Sequence, residues 1–269
     1  MSSNLPLILI RGAGDLGSGV AYRLFKAHYP VVMTELEAPT LVRRTVSFGS
    51  AMFEGTVQVE GITARCIEAS SAAWLALQAA EIPVIDDHEW RNLSPRVVID
   101  ARVAKRNIDT AMQDAELVIA LGPGFSAGED CHAVIETNRG HYLGRVIWQG
   151  AAEPNTNVPG NMMGMTGDRV LRAPVAGFVE PYAMIGDEIE AGATIAIVNG
   201  HPVIAAFTGR LRGLIHPSVH VTQGMKIGDL DPRCVYAHCF TISEKSLAIG
   251  GGVLEAILSC GITPLIPTE

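Results

Sequence analysis

Positive charge is scarce in this chain and never concentrated. Twenty Lys and Arg face 28 Asp and Glu, for a net charge of −8, and no basic run exceeds a pair such as Arg43-Arg44. That excludes the electrostatic footprint of a nucleic-acid binder. The sequence also lacks any run of about eighteen apolar residues, which excludes a membrane-spanning helix. Its first residues carry no basic segment, and the apolar run Leu7 to Ile10 is cut short by Arg11. No signal peptide is expected, and a cytoplasmic location follows. Paired cysteines are missing too. Cys66, Cys131, Cys234, Cys239 and Cys260 are scattered and odd in number, and the nearest two have four residues between them with no second pair. The expectation is five reduced thiols, with no structural disulfide and no metal site.

With 48% hydrophobic and 18% charged residues, the composition is that of a globular chain. Leu7 to Ile10 reads as a strand buried on both faces. The glycine-rich GAGDLGSG follows, then a helix with Val20, Leu24, Phe25 and Ala27 on its apolar face, then a strand over Val31 to Glu35. This is a right-handed β-α-β unit. Beyond it the pattern predicts a helix over Leu41 to Met52, a hairpin around Glu60-Gly61, and a helix over Ala69 to Ala80. Short apolar strands follow at Pro83 to Asp86, Val97 to Asp100 and Leu117 to Ala120. The fold class expected is α/β: a Rossmann-like, mostly parallel sheet with a small all-β domain added.

Composition divides the chain. Residues 1–150 form the expected nucleotide-binding domain, and 151–168, rich in Gly, Pro and Asn, a linker. Residues 169–233 change to short β runs separated by glycine turns. There APVAGFVEPYAMIGDEIEAG is echoed by AAFTGRLRGLIHPSVHVTQG, the two-fold pattern of a biotinyl/lipoyl-like barrel-sandwich. The hairpin Val198 to Val203 carries no lysine, so covalent biotin or lipoate is excluded. Residues 234–269 are expected to return as a helix that packs on the N-terminal domain, with Gly250-Gly251-Gly252 at its N-terminus.

The chemistry concentrates at strand ends, where open α/β sheets place ligands. Gly12, Gly14 and Gly17 fit G-x-G-x-x-G, which allows a tight turn, close approach of a pyrophosphate and close helix packing. The helix N-terminus adds free amides for the anion. Asp15, inside the motif, sits near those phosphates or caps the helix. Glu35 ends the second strand, placed to hold a ribose hydroxyl pair. The segment Asp100 to Asp109, with Asp100, Lys105 and Asn107, either grips phosphates and a polar heterocycle or is a solvated loop. Gly122 and Gly124 end the last strand and are expected to line the same crevice. His141 is a candidate acid or base but stands alone, and no catalytic residue is identifiable.

Longer blocks carry a more specific signal. RGAGDLGSGVAYRLFKA, VVMTELEAPTLVRRTVSF, ARVAKRNIDTAMQDAELVIALGPGF, ETNRGHYLGRVI, KIGDLDPR and CFTISEKSLAIGGGVLEAIL together resemble the YqeB-type family of maturation proteins for selenium-dependent molybdenum hydroxylases, related to xanthine dehydrogenase accessory proteins. The resemblance runs from Arg11 to Leu258. It implies an accessory protein that binds the molybdenum cofactor, a pterin dinucleotide, or an NAD(P)-like nucleotide non-covalently, and delivers or modifies it for a hydroxylase apo-enzyme partner. In that reading Gly12, Gly14 and Gly17 hold the phosphates, Glu35 a ribose, and Lys105 and Arg43 neutralise charge. The alternatives are an NAD(P)-dependent oxidoreductase and a non-catalytic scaffold with a vestigial fingerprint.

Overall fold

A computed structural model describes residues 6–155, 164 and 167–264. Most of the expected linker, 156–163 and 165–166, lies outside the described residues. The N-terminal part runs β1 (Ile8–Arg11), α1 (Asp15–Lys26), β2 (Val31–Glu35), α2 (Ala51–Glu54), β3 (Thr56–Val59), β4 (Ile62–Cys66), α3 (Ala73–Gln78), β5 (Ile82–Asp86), β6 (Val97–Asp100), β7 (Leu117–Leu121), β8 (Ala133–Ile135) and β9 (Val146–Ile147). These strands form one sheet in the order β3-β4-β5-β2-β1-β6-β7-β8-β9. The remainder comprises β10 (Val170–Arg172), β11 (Gly177–Pro181), β12 (Glu188–Ile189), β13 (Thr194–Val198), β14 (His201–Ile204), β15 (Gly209–Leu214), β16 (His220–Val221), β17 (Lys226–Asp231) and α4 (Glu244–Ser259).

The expected fold class needs correction on both counts. The large sheet is mixed: β3 pairs antiparallel with β4 at one edge, and β9 antiparallel with β8 at the other. It is not doubly wound either. The connections β5–β6, β6–β7 and β7–β8 contain 3-10 turns and loops but no α-helix; Pro95 in the first and Gly122-Pro123-Gly124 in the last favour turns. Where a barrel-sandwich was expected, two separate four-stranded antiparallel sheets stand, ordered β10-β17-β15-β12 and β14-β13-β11-β16. The sequence repeat shows as an exchange: β12 pairs with β15, and β16 with β11. A two-residue turn at Asn199 (φ +47°) and Gly200 (φ +80°) joins β13 to β14.

The helix expected over Leu41 to Met52 is also corrected. Arg44–Val46 and Phe48–Ser50 are 3-10 turns leading into the short α2. Serine hydroxyls compete for the backbone: Ser47 Oγ donates to the Arg43 carbonyl at 2.9 Å and Ser50 Oγ to that of Arg44 at 2.8 Å. The segment is tied instead to the glycine turn, with the Gly49 amide donating to the Ala13 carbonyl and the Phe48 amide to Ser18 Oγ.

Apolar packing explains the C-terminal helix. Ile249, Val253 and Ile257 are fully buried in the cluster that also holds Ile8, Ile10, Val20 and Leu24, so α4 and α1 cover one face of the sheet together. Gly250-Gly251-Gly252 lies inside α4, not at its N-terminus, which is capped by Ser243. A Cβ on Gly19 would come within 2.5 Å of Ser246, and one on Gly250 within 2.7 Å of the Gly19 carbonyl. The glycine run therefore serves close helix packing and offers no free amides to an anion.

The all-β part buries a charge cluster whose pH dependence is testable. Arg233 Nε and Nη2 hold Asp231 at 2.9 and 2.5 Å, and Arg169 holds Asp229 at 2.8 Å. Burial opposes ionisation of Asp231, but the bonds from Arg233 outweigh it and hold the carboxyl at about 2, below its usual 3.8. A pKa depressed in the fold gives stability that is present above the unfolded value and lost as pH falls through the folded one. Asp231 should therefore contribute about 2 kcal/mol, lost between about pH 4 and pH 2. Denaturant titrations across that range should show the loss in the native chain, and its absence in Asp231→Asn.

Candidate functional site

Strand register builds the site. Arg11, the last residue of β1, lies level with Thr34 of β2 and Asp100 of β6. A crevice of about 740 Å³ opens above these strand ends, lined among others by Gly12, Gly14, Asp15, Glu35, Asp87 and Trp90.

The glycine turn forms one wall. Gly12 has φ +99°, and a Cβ there would lie 2.8 Å from the Arg102 amide nitrogen. A Cβ on Gly17 would lie 2.1 Å from the Gly12 carbonyl, so this glycine sets the distance between turn and helix. Gly14 differs: its Cβ would meet only Leu41 Cδ2, at 3.4 Å, and its φ of −73° suits any residue. Its side-chain space belongs to the crevice. Gly14 caps α1 without a side-chain bond, and the first amides of a helix have no partner within it.

Glu35 faces this turn from the end of β2. Its Oε2 accepts from the Ala13 amide and its Oε1 from the Leu36 amide, both at 2.9 Å. A carboxylate has about four acceptor positions, so both oxygens keep room for ligand hydroxyls. Burial raises its pKa and the charge of Asp87 adds to that, while the two amide bonds oppose them.

The floor is an ion network that sequence reasoning missed. Arg11, 1% exposed, binds Asp87 through Nε and Nη2 (3.1 and 2.7 Å) and Asp109 through Nη1 and Nη2 (2.8 and 3.2 Å). Thr34 Oγ1 donates to Asp87 at 2.5 Å. Arg102 bridges Asp109 and Asp100, and Asp100 also accepts from Thr110. The Arg11 guanidinium lies 4.9 Å from the Trp90 ring centre. Burial alone would lower the Arg11 pKa, yet its two carboxylates raise it. In return its bonds hold Asp109 at about 2. The signal available in sequence was a set of strands ending in charged residues: Arg11, Asp86-Asp87 and Asp100.

Of the expected residues, Gly12, Gly14, Asp15 and Glu35 line the crevice, with Gly17 packed behind them. Arg43, 8% exposed, holds Asp15 (2.9 Å) and the His238 and Thr241 carbonyls and is not among the lining residues. Asp100 lies beneath the crevice, paired with Arg102. Asn107 binds the Thr110 carbonyl and Asp130, holding its own loop. Lys105 is exposed on that loop and is not among the lining residues. Gly122 and Gly124 pack on Thr137 and on the Arg106 backbone and are not among the lining residues. His141 is exposed against Tyr142; His88 lines the crevice instead. All five cysteines are free, and burial pushes the Cys131 thiol up to about 12. Among the described residues, no group of three or more His, Cys, Asp or Glu is arranged to hold a metal. No helix among them is long and apolar enough to cross a membrane.

No family model matches the chain. It is 49% identical over 259 residues to "Uncharacterized protein YqeB" of Escherichia coli K12, covering 95% of this chain and 48% of that protein. The chain thus spans about half the length of the curated relative it matches. Among solved structures, an aspartoacylase family protein from Mesorhizobium loti is 11% identical, with 84% of each chain covered and a TM-score of 0.29. A succinylglutamate desuccinylase/aspartoacylase from Rhodobacter sphaeroides is 13% identical, covering 84% of this chain and 85% of that one, with a TM-score of 0.26. Likeness at that level carries no activity over to this chain. The curated relative nevertheless corrects the role implied by the resemblance. It is named only as an uncharacterized protein, and that name assigns no part in molybdenum hydroxylase maturation. The maturation role and its alternatives are not carried further.

Proposed function

We propose that this chain binds a phosphate-bearing, nucleotide-like small molecule non-covalently in the crevice above β1, β2 and β6. The observation that carries the reading is the wall at Gly14, where helix-start backbone borders a cavity of about 740 Å³ and only Leu41 comes within contact of the Cβ position. Such backbone favours an anion. Glu35 supplies acceptors for a hydroxyl pair on the same ligand, and the exposed Leu36 and Ile108 offer apolar contact on the rim.

Gly14→Val should fill this space without disturbing the fold, since even the first added carbon meets only Leu41. Isothermal titration with nucleoside diphosphates should show binding to the native chain. The valine variant should bind about ten- to a hundredfold more weakly, the equivalent of one or two lost charge-assisted bonds, with its melting temperature nearly unchanged. Equal affinity in the two proteins would remove the glycine turn from the site.

A further inference from the structure

Trp90 and Arg91 belong to the 3-10 turn Asp87–Asn92 that follows β5, which the Asp86 carboxylate caps by accepting from the His88 amide at 2.8 Å. With three residues per turn, side chains at i and i+3 eclipse. Asp87 and Trp90 therefore share one side, and both meet Arg11: Asp87 through hydrogen bonds, Trp90 with its ring centre 4.9 Å from the guanidinium. His88 and Arg91 share the next side, and both line the crevice.

Three arginines line the crevice, and two of them are neutralised. Arg11 is bound to Asp87 and Asp109, and Arg102 to Asp100 and Asp109. Arg91 makes no ion pair among the described residues: Asp87 is taken by Arg11 and Thr34, and Glu89 of the same turn bonds Ser70 and Asn92. What Arg91 meets is the Trp90 ring, with its guanidinium 4.3 Å from the ring centre. Trp90 is 4% exposed, whereas Arg91 is exposed. A buried indole thus holds an exposed guanidinium at the crevice wall.

Strand order says what that guanidinium can meet. β5, β2 and β1 are neighbours in the large sheet, in that order, and neighbouring strands lie about 4.8 Å apart. The glycine turn follows β1, Glu35 ends β2, and Arg91 follows β5. A phosphate cradle, acceptors for a hydroxyl pair and a flat cation succeed one another across the sheet, the order of phosphate, sugar and base in a nucleotide. Guanidinium planes stack on nucleobases. The exposed Leu36, directly after Glu35, lines the same space and adds apolar contact.

We propose that Arg91, held on Trp90, is the base platform of the crevice and selects a purine nucleotide over a pyrimidine one, because the larger ring system covers more of the platform. This rests on the nucleotide-binding reading of the crevice. Isothermal titration of the full chain with ADP, UDP and adenosine tests it. The native chain should bind ADP at least about fivefold more tightly than UDP. Arg91→Ala should weaken ADP and adenosine about five- to a hundredfold and bring ADP to the level of UDP. Arg91→Lys keeps the charge but lacks the plane, and should bind ADP as weakly as the alanine variant. Both variants should melt with the native chain, since Arg91 abandons no ion pair. Equal native affinities for ADP and UDP, or native ADP affinity in either variant, overturn the proposal. If Gly14→Val still weakens ADP in that case, the crevice reading survives the failure. Adenosine binding that depends on Arg91, with ADP indifferent to Gly14→Val, upholds the base platform and sinks the phosphate cradle instead. No binding of any probe by the native chain overturns both.

Discussion

Arg11→Met should cost about 3–5 kcal/mol of stability, the loss expected when one partner of a buried ion network is removed. The arginine is 1% exposed, and four of its hydrogen bonds go to Asp87 and Asp109. Methionine matches its stem but leaves Asp87 bonded to Thr34 without its arginine. For a chain of this length the melting temperature should fall by roughly 10 °C. Two further observations separate this cause from simple loss of packing. Adding Asp87→Asn should recover part of the loss, because the uncompensated charge is gone. The Asp109 carboxyl, held at about 2 by Arg11 first and Arg102 second, should titrate closer to its usual value. A cost below about 1 kcal/mol, with Asp109 unmoved, would mean that the network does not hold the crevice floor.

A chain ending at Arg233 should fail to keep the native fold of the large sheet. It would lose Ile249, Val253, Ile257 and Ile262, all fully buried against α1 and the sheet. At about 1.5–3 kcal/mol for each large apolar side chain, the loss is about 6–12 kcal/mol. The total stability of a typical domain is about 5–15 kcal/mol. Ser246 would go as well, leaving Asp15 Oδ1 without that partner, and the face of α1 that packs on Gly250 would be bare. Thermal melting and urea titration should show a large downward shift or no cooperative transition. A shortened chain that melts with the full-length protein would show that α4 is an accessory to the fold.

Local pattern carried a good part of this molecule. The apolar run at β1, the glycine turn and the strand ending in Glu35 could be placed from sequence because each depends on neighbours a few residues away. The Glu60-Gly61 hairpin and the Asn199-Gly200 turn were legible for the same reason, since left-handed backbone selects Gly and Asn. Where segments cross, local pattern was not enough. The stretch 41–52 has helical spacing, yet its serines and the Ala13 carbonyl claim its hydrogen bonds, and those partners come from the packed fold. The glycines of α4 read as a helix start until α1 was seen lying against them. Arg43 and Arg11 are both arginines near an expected site. Only the tertiary arrangement shows one of them clasping Asp15 and two backbone carbonyls and the other forming the crevice floor, because ion pairs spanning 28, 76 or 98 residues leave no periodic trace in a sequence.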